Sequence, residues 1–251
     1  MLPELYDSMF ARKSVRKFDP APLGADILGE LTAFMNDLVP MHGEIALEHV
    51  IVPGNDVRSP FRPKPPHYIL IFSEPKEGYL VNAGFMMQQV DLFLSHRGIG
   101  SCWQLIPRPT KHGRQSSSLD YIIAMAIGSP AEPVHRQSRD EFDRKPNEKI
   151  TSISGMNEIM DAVRLAPSGM NTQPWFFTGD ATGMLHAYCT KLNPLLKLVI
   201  HKMDEVSVGI AICHAWIAIS HLGNVPEFLI DETARDNPPK GYYYITSLKF
   251  S

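Results

Sequence analysis

Apolar positions along the chain recur with two different periods, which predict a mixture of α-helices and β-strands. Helical spacing predicts five helices, at residues 3–10, 26–38, 79–97, 157–165 and 204–222. Short apolar runs predict strands at residues 46–52, 68–72, 121–127, 175–178, 185–189 and 242–250. Gly98 and Gly223 follow the two long helices, as glycine often does at a helix C-terminus. The pattern therefore predicts an α+β fold.

The order of the predicted elements occurs twice, on either side of a charged connector at residues 131–150. A shift of 125 positions superimposes identical residues of the two long helices and their ends: Val81 on Val206, Gly84 on Gly209, Ser95 on Ser220, His96 on His221 and Gly98 on Gly223. A tandem duplication is the economical explanation. We expect a first half at residues 1–130 and a second half at residues 151–251, packed about a pseudo-twofold axis as a homodimer would pack. The second long helix is apolar nearly all round, so we expect it to be buried between the halves.

Composition excludes several classes of protein. The 24 Lys and Arg residues against 27 Asp and Glu residues give a net charge of −3, which offers no general basic field for nucleic acid or an anionic membrane. The three cysteines show no CxxC pair, which favours a reducing compartment. The N-terminal residues lack the pattern of a signal peptide, and the most apolar stretch, at residues 208–220, is too short to span a bilayer. We expect a cytoplasmic protein.

Familiar catalytic motifs are missing from the sequence. It contains no GxxxxGK[ST], no GxGxxG between a strand and a helix, no HExxH and no GxSxG. The ten histidines are scattered. A metal enzyme or a serine hydrolase is therefore unsupported.

A basic segment near the N-terminus, RKSVRKF at residues 12–18, carries four cations and a hydroxyl. One interpretation is a solvated surface segment. The other is a phosphate clamp, because arginine offers a fork of donors and serine a short hydroxyl. In an extended segment Arg12, Ser14 and Arg16 would point to one side, and Phe18 would anchor the end in the core.

An uncharged polar loop, APSGMNTQPW at residues 166–175, connects a helix to a strand. An ordinary connection is one interpretation. The alternative is a ligand loop, because Asn171 and Gln173 carry amides that both donate and accept, as the edge of a heterocycle requires.

Together RKSVRKF and APSGMNTQPW resemble the nitroreductase superfamily of FMN-dependent oxidoreductases. The segments GIGSCW, IGSPAEP and RKPNEKI are also similar to that family. The resemblance implies an α+β nitroreductase-like fold, in which two halves, each with a small, mostly antiparallel sheet, pack around central long helices. One feature departs from the common pattern: the first half has the basic segment without the APS loop, and the second half has the loop without the segment. The chain thus resembles a single-chain branch in which fused halves imitate the family homodimer, with one complete FMN site.

The resemblance also implies roles for individual residues, by their positions in the matching motifs. The FMN phosphate and the polar rim of the flavin would be held by Arg12, Lys13, Ser14 and Arg16, although Lys13 matches its position only partly. The isoalloxazine would be lined by Pro167, Ser168, Gly169 and Asn171. Backbone near the flavin N5 would come from Leu105 and Ile106. Arg144 would complete the phosphate contacts or, equally, be a solvated arginine of the connector.

The function that the resemblance implies is FMN-dependent, NAD(P)H-driven reduction of a nitroaromatic, a quinone or another flat acceptor, with no catalytic side chain. One open face of the flavin would serve reductant and acceptor in turn, so a ping-pong mechanism is expected. Partners would be NAD(P)H and the small acceptor, with no nucleic acid or membrane, and a monomer would suffice. Three alternatives stay open: an FMN carrier or sensor without turnover, another flavin chemistry of the superfamily such as dehalogenation, and a structural module without ligand.

Overall fold

The computed structural model describes residues 2–61, 64–180 and 183–251, and only the backbone of residues 194–199. Its helices are α1 Leu2–Met9, α2 Ala25–Asn36, α3 Tyr79–His96, α4 Lys111–Arg114, α5 Asn157–Arg164, α6 Pro194–His221 and α7 Glu232–Asp236. Its strands are β1 Leu47–Pro53, β2 Val57–Arg58, β3 His67–Ser73, β4 Gly100–Gln104, β5 Arg108–Pro109, β6 Asp120–Gly128, β7 Trp175–Asp180, β8 Met184–Thr190, β9 Glu227–Leu229 and β10 Tyr242–Lys249.

Two four-stranded sheets form the framework, and all their ladders are antiparallel. The first sheet has the order β1-β3-β6-β4, and the second has the order β7-β8-β10-β9. Counted along the chain within each sheet, both orders are first, second, fourth, third. In both, a long helix follows the second strand. The predicted α+β fold with two small antiparallel sheets is confirmed.

The sequence missed or misplaced several elements. Helix α6 begins at Pro194, ten residues before the predicted start, and proline is well suited to the first position of a helix. Helix α2 begins at Ala25, one residue before the predicted start, with Gly24 as its N-cap. Strand β4 and five short elements carry too few β-branched or periodic residues to be recognised from the sequence; the short elements are β2, β5, β9, α4 and α7.

The chain divides into two compact units, each built from stretches that are not consecutive in the sequence. The first unit comprises Ala11–Tyr79 and Met86–Arg139, and the second comprises Met1–Phe10, Leu80–Phe85 and Asp140–Ser251. The first unit contains the first sheet, whose core includes Tyr68, Leu70 and Phe72. These units are defined by contacts, whereas the predicted halves rest on a sequence repeat, so the division at residues 1–130, 131–150 and 151–251 stays a prediction.

Helix α6 is the core helix of the second unit. Its stretch Ile200–His221 has 22 residues and is long and apolar enough to cross a membrane, because the helix starts earlier than the apolar run at residues 208–220 suggested. However, 83% of its most apolar window is buried inside the protein. The ring Nδ1 of fully buried His214 lies 2.8 Å from the carbonyl oxygen of Ala162 in α5. The stretch is thus packed as in the interior of a soluble protein.

Within the second unit, two glycines allow α3 and α6 to touch backbone to backbone. A Cβ atom at Gly84 would overlap the carbonyl oxygen of Val206, and one at Gly209 would overlap that of Val81. The 125-residue shift converts each of these contacts into the other. The two helices therefore cross in a reciprocal way, as equivalent surfaces do at a twofold axis.

Candidate functional site

The basic segment of the first unit is extended and is hydrogen-bonded on both sides. On one side the Val15 N–H donates to Ser101 O at 2.9 Å. On the other, Ala131 N–H donates to Lys17 O at 2.9 Å. Val15 and Phe18 are buried in the core of the first sheet, so Phe18 anchors the segment as expected.

Burial in this segment recurs every third residue, at positions 12, 15 and 18, and not every second residue. The stretches around Ser101 and Ala131 lie on different sides of the segment. Buried and exposed side chains therefore do not alternate every second residue. Arg12 is 1% exposed, Ser14 is half-buried and Arg16 is exposed. The expectation that Arg12, Ser14 and Arg16 share one open side is therefore wrong for Arg12, whose guanidinium faces the interior.

The buried Arg12 guanidinium is paired with Asp91 of α3. Its Nε lies 2.9 Å from Asp91 Oδ2, and both side chains are at most 1% exposed. Its Nη2 donates to Ser14 Oγ at 3.0 Å. Asp91 also accepts hydrogen bonds from the Ser101 hydroxyl at 2.5 Å and from Gln88 Nε2 at 3.2 Å. A buried carboxylate thus holds Arg12, and Arg12 holds Ser14.

The remaining cations of the segment lie at the surface near Glu132. Its Oε1 accepts hydrogen bonds from the backbone N–H of Arg16 at 2.7 Å and of Lys17 at 3.3 Å. The Arg16 hydrogen bond, with help from the charges of Lys13 and Lys17, lowers the pKa of Glu132. Arg16 is exposed, and its Nη1 donates to the Ser14 carbonyl oxygen at 3.4 Å, so this part of the first unit presents accessible positive charge close to Ser14.

Leu105 and Ile106 follow β4 in an irregular turn. Their carbonyl oxygens accept hydrogen bonds from Arg108 Nη1 at 2.5 and 3.3 Å. The Arg108 guanidinium also lies over the ring of Tyr121, 5.6 Å from its centroid. The turn is therefore held by Arg108, and the Ile106 side chain, 61% exposed, faces solvent.

The APS loop lies in the second unit and has a strained backbone. Met170, Asn171 and Gln173 have φ angles of 52°, 58° and 46°, a region that costs non-glycine residues energy and that clusters at functional sites. Pro167 is buried at the end of α5, whereas Met170 is 86% exposed at the tip of the loop. The surrounding contacts must hold this conformation.

Three consecutive residues of the connector supply those contacts. Asp143 O accepts a hydrogen bond from Asn171 Nδ2 at 2.8 Å, and Arg144 Nη1 donates to Asn171 Oδ1 at 2.9 Å. Lys145 N–H donates to Gln173 Oε1 at 2.8 Å, and its Nζ donates to Gln173 O at 3.1 Å. Arg144 is therefore not a solvated connector arginine, because it supports the loop.

The beginning of the loop is packed onto α6. Ser168 Oγ accepts a hydrogen bond from the Gln173 N–H at 2.9 Å, and the Gly169 N–H donates to Ser207 Oγ at 3.2 Å. A Cβ atom at Gly169 would overlap the side chain of Met203, so a larger residue here would require Met203 to move. These contacts leave the loop rigid, with small residues at its start.

A buried carboxylate, Asp204 of α6, lies beneath the loop. Asp204 is 3% exposed and lies near the Thr172 hydroxyl, which itself donates to Gly169 O at 3.1 Å. Its Oδ1 has no hydrogen-bond partner among the described residues. Burial raises the pKa of Asp204, and it lowers the pKa of the neighbouring Lys145 amine.

A family model described as "Putative TM nitroreductase" matches residues 4–219 of this chain. The chain belongs to the nitroreductase family. Comparison with curated proteins gives no match.

Solved structures extend the comparison of this nitroreductase-family chain. A crystal structure described as a "putative nitroreductase" from Thermotoga maritima is 18% identical, covers 98% of this chain and 93% of its own, and superimposes with a TM-score of 0.66. An FMN-dependent nitroreductase from Clostridium difficile R20291 is 17% identical, with coverages of 57% and 95% and a TM-score of 0.42. An iodotyrosine deiodinase bound to FMN and 3-iodo-L-tyrosine is 18% identical, with coverages of 58% and 96% and a TM-score of 0.41. The Thermotoga structure shows the nitroreductase-like fold.

Sequence reasoning missed two residues of this nitroreductase-family chain, Asp91 and Asp204. Each is a fully enclosed carboxylate on a long helix, and each lies next to a predicted site segment of its own unit. A signal was present for Asp91, because a single acidic residue interrupts an otherwise apolar stretch of α3. Such a residue is rarely buried without a partner.

Proposed function

We propose that the chain binds one FMN and uses it as an NAD(P)H-dependent oxidoreductase. The observation that carries the proposal is the arrangement at Ser14. Its Oγ accepts a hydrogen bond from Arg12, so its own O–H is left to donate, and the exposed Arg16 contacts the carbonyl oxygen of the same residue. A hydroxyl donor beside accessible positive charge fits a phosphate group. The match to the nitroreductase family over most of the chain supports the same ligand.

The phosphate end of FMN is assigned to the first unit. Lys13, Ser14 and Arg16 would contact the phosphate or the polar rim of the flavin. Arg12 would act from behind, because it is 1% exposed and its Nη2 holds the Ser14 oxygen. The backbone of Leu105 and Ile106 would lie near the flavin N5, in the turn that Arg108 supports.

The isoalloxazine is assigned to the APS loop of the second unit. Pro167, Ser168, Gly169 and Asn171 would line the ring. The loop suits a flat ligand because it is uncharged, and because its strained residues are held by hydrogen bonds from the connector. Arg144 would serve FMN by fixing Asn171, rather than mainly through the phosphate.

Bound FMN supplies hydride transfer from NADH or NADPH and electron delivery to a nitroaromatic, a quinone or a similar flat acceptor. The residues of this chain bind and orient it, and we assign no catalytic side chain. Reductant and acceptor would share one open face, which favours ping-pong kinetics. A cytoplasmic location is proposed, in keeping with the absence of disulfides among the three buried cysteines.

A tandem duplication would make this chain an internal counterpart of a dimer. The shared strand order of the two sheets and the reciprocal contacts of Gly84 and Gly209 support it. Because the clamp and the APS loop occur once each, we propose one flavin per chain and a monomer sufficient for binding.

A spectroscopic experiment tests the proposal. Purified protein, or apoprotein titrated with FMN, should show flavin absorbance saturating at one equivalent per chain. Anaerobic NADH or NADPH should bleach it, and a nitroarene or quinone should restore it. Double-reciprocal plots should be parallel. Flavin that binds but stays oxidised with both nicotinamides would contradict the oxidoreductase proposal and favour a carrier or another flavin chemistry.

A further inference from the structure

Asp91 lies in a buried polar network of the first unit that the proposed flavin chemistry does not use directly. It touches three side chains, those of Arg12, Ser101 and Gln88. Gln88 Oε1 in turn accepts a hydrogen bond from Trp103 Nε1 at 3.3 Å. Hydrophobic residues of similar size would often give equal or greater stability than a buried ion pair. The buried ion pair between Arg12 and Asp91 therefore indicates a role other than stability.

The direction of the hydrogen bonds identifies such a role. Arg12 Nε lies 2.9 Å from Asp91 Oδ2, and this buried ion pair holds the guanidinium in place. Nη2 of the same guanidinium then points at Ser14 Oγ, 3.0 Å away. Arginine has no acceptor, so Ser14 Oγ must be the acceptor in this contact. Its single proton is therefore directed elsewhere, and no acceptor for it is found among the described residues.

We infer that Asp91 is a positioning residue for anion recognition: through Arg12 it orients the Ser14 hydroxyl as a donor to the FMN phosphate. The inference rests on the proposed function. Asp91 and Arg12 form a neutral pair, so they contribute direction rather than net charge, and the accessible positive charge comes from Lys13 and Arg16. Asp91 itself does not touch the ligand.

Riboflavin, which lacks the phosphate, separates positioning from folding. Dissociation constants of FMN and riboflavin are measured on apoprotein by quenching of flavin fluorescence. In the parent, FMN should bind at least tenfold more tightly than riboflavin. Asp91→Asn should weaken FMN binding about five- to tenfold and leave riboflavin binding within about twofold, because the Ser14 hydroxyl stays present and loses only its orientation, which is a smaller loss than deleting a hydrogen bond to a charged group. Asp120→Asn removes an exposed carboxylate of the same unit and should change neither constant.

A double-mutant cycle tests the route through Ser14. Ser14→Ala should weaken FMN binding alone, and adding Asp91→Asn to Ser14→Ala should cause little further loss, because the hydroxyl to be oriented is gone. If Asp91→Asn does not fold, the double variant Arg12→Met with Asp91→Leu replaces the ion pair by apolar groups, and it should show the same selective loss.

Two results would overturn the inference while leaving the proposed function intact. The first is an equal loss of FMN and riboflavin binding in the Asp91 variants, which would indicate a structural role only. The second is a full effect of Asp91→Asn in the Ser14→Ala background. If instead the parent binds FMN no better than riboflavin, or binds neither, the phosphate assignment of the proposed function fails and the inference fails with it.

Discussion

Replacing either glycine of the helix crossing should destabilise the protein, although alanine is the better helix former. At Gly84 and Gly209 the added Cβ atom would overlap a carbonyl oxygen of the other helix. A backbone oxygen cannot rotate away as a side-chain end does. The helices would have to separate by roughly 1 Å to restore an ordinary C···O distance of about 3.3 Å.

The expected magnitude is the difference between two opposing effects. Overpacking of a rigid interior costs about 1–3 kcal/mol, and a contact between two backbones belongs at the upper end of that range. Replacing glycine by alanine in a helix returns about 1 kcal/mol. We therefore expect Gly84→Ala and Gly209→Ala each to lower the free energy of unfolding by about 2 kcal/mol. For a chain of this size that corresponds to a melting temperature lower by about 4–8 °C.

Thermal unfolding followed by far-ultraviolet circular dichroism measures the effect. Gly29→Ala is the matched control, because Gly29 lies within α2 and a Cβ atom there would meet nothing within 4 Å. This control should melt at the parent temperature or about 2 °C above it. The reasoning would be refuted if Gly84→Ala and Gly209→Ala melted with the control, and the reciprocity of the crossing would be refuted if only one of them were destabilised.

Three further predictions concern charge and reactivity. Arg16→Ala should weaken FMN binding about ten- to a hundredfold, whereas Lys240→Ala, at an exposed position outside both motifs, should bind FMN like the parent; equal affinities would show the clamp to be misassigned. Because burial raises the pKa of Asp204, the folded state holds its proton more tightly than the unfolded state. The protein therefore loses stability as pH rises above the ordinary range of an aspartate. Asp204→Asn should melt above the parent at pH 7, and the difference in melting temperature should narrow toward pH 4. Burial raises the pKa of Cys189 to about 12, raises that of Cys102 and encloses Cys213, so a disulfide reagent at pH 8 should label no thiol in the native protein and three after denaturation.

Apolar periodicity predicted the elements whose burial follows their own sequence. Helix α3 and strand β3 were placed within one or two residues of their ends, since their apolar runs are long or continuous. Strand β4, GSCWQ, was missed because it contains no β-branched residue and depends on its pairing with β6. Such an element is specified by its neighbour, which a single sequence does not show.

The candidate site also contains residues that the sequence indicated and residues whose roles depend on contacts with distant parts of the chain. Residue type made Ser14, Arg16 and the APS loop candidates beside ordinary interpretations, and the resemblance of the two segments to the nitroreductase superfamily assigned them to FMN. Residue type did not indicate that Arg12 faces the interior, because an arginine is rarely buried unless it is paired. Its partner, Asp91, lies 79 positions away in the sequence, and the sequence alone does not show that the two side chains meet. Nor did it reveal that Arg144 holds Asn171, because that contact depends on how the connector folds back over the loop.

The 125-residue correspondence separates two kinds of position in the long helices, those that match in residue type and those that do not. Gly84 and Gly209 correspond under the 125-residue shift, and a change at either would disturb a contact that both helices share. The buried acids do not correspond: Asp91 is matched by Trp216, and Asp204 is matched by Tyr79. A buried carboxylate is costly unless its own surroundings supply opposite charge, and each unit supplies it once, from Arg12 to Asp91 and from Lys145 to Asp204. The two long helices thus correspond where their backbones meet and differ where a buried carboxylate lies beside the basic segment or the APS loop. We would expect this pattern if a duplicated chain kept one flavin site rather than two.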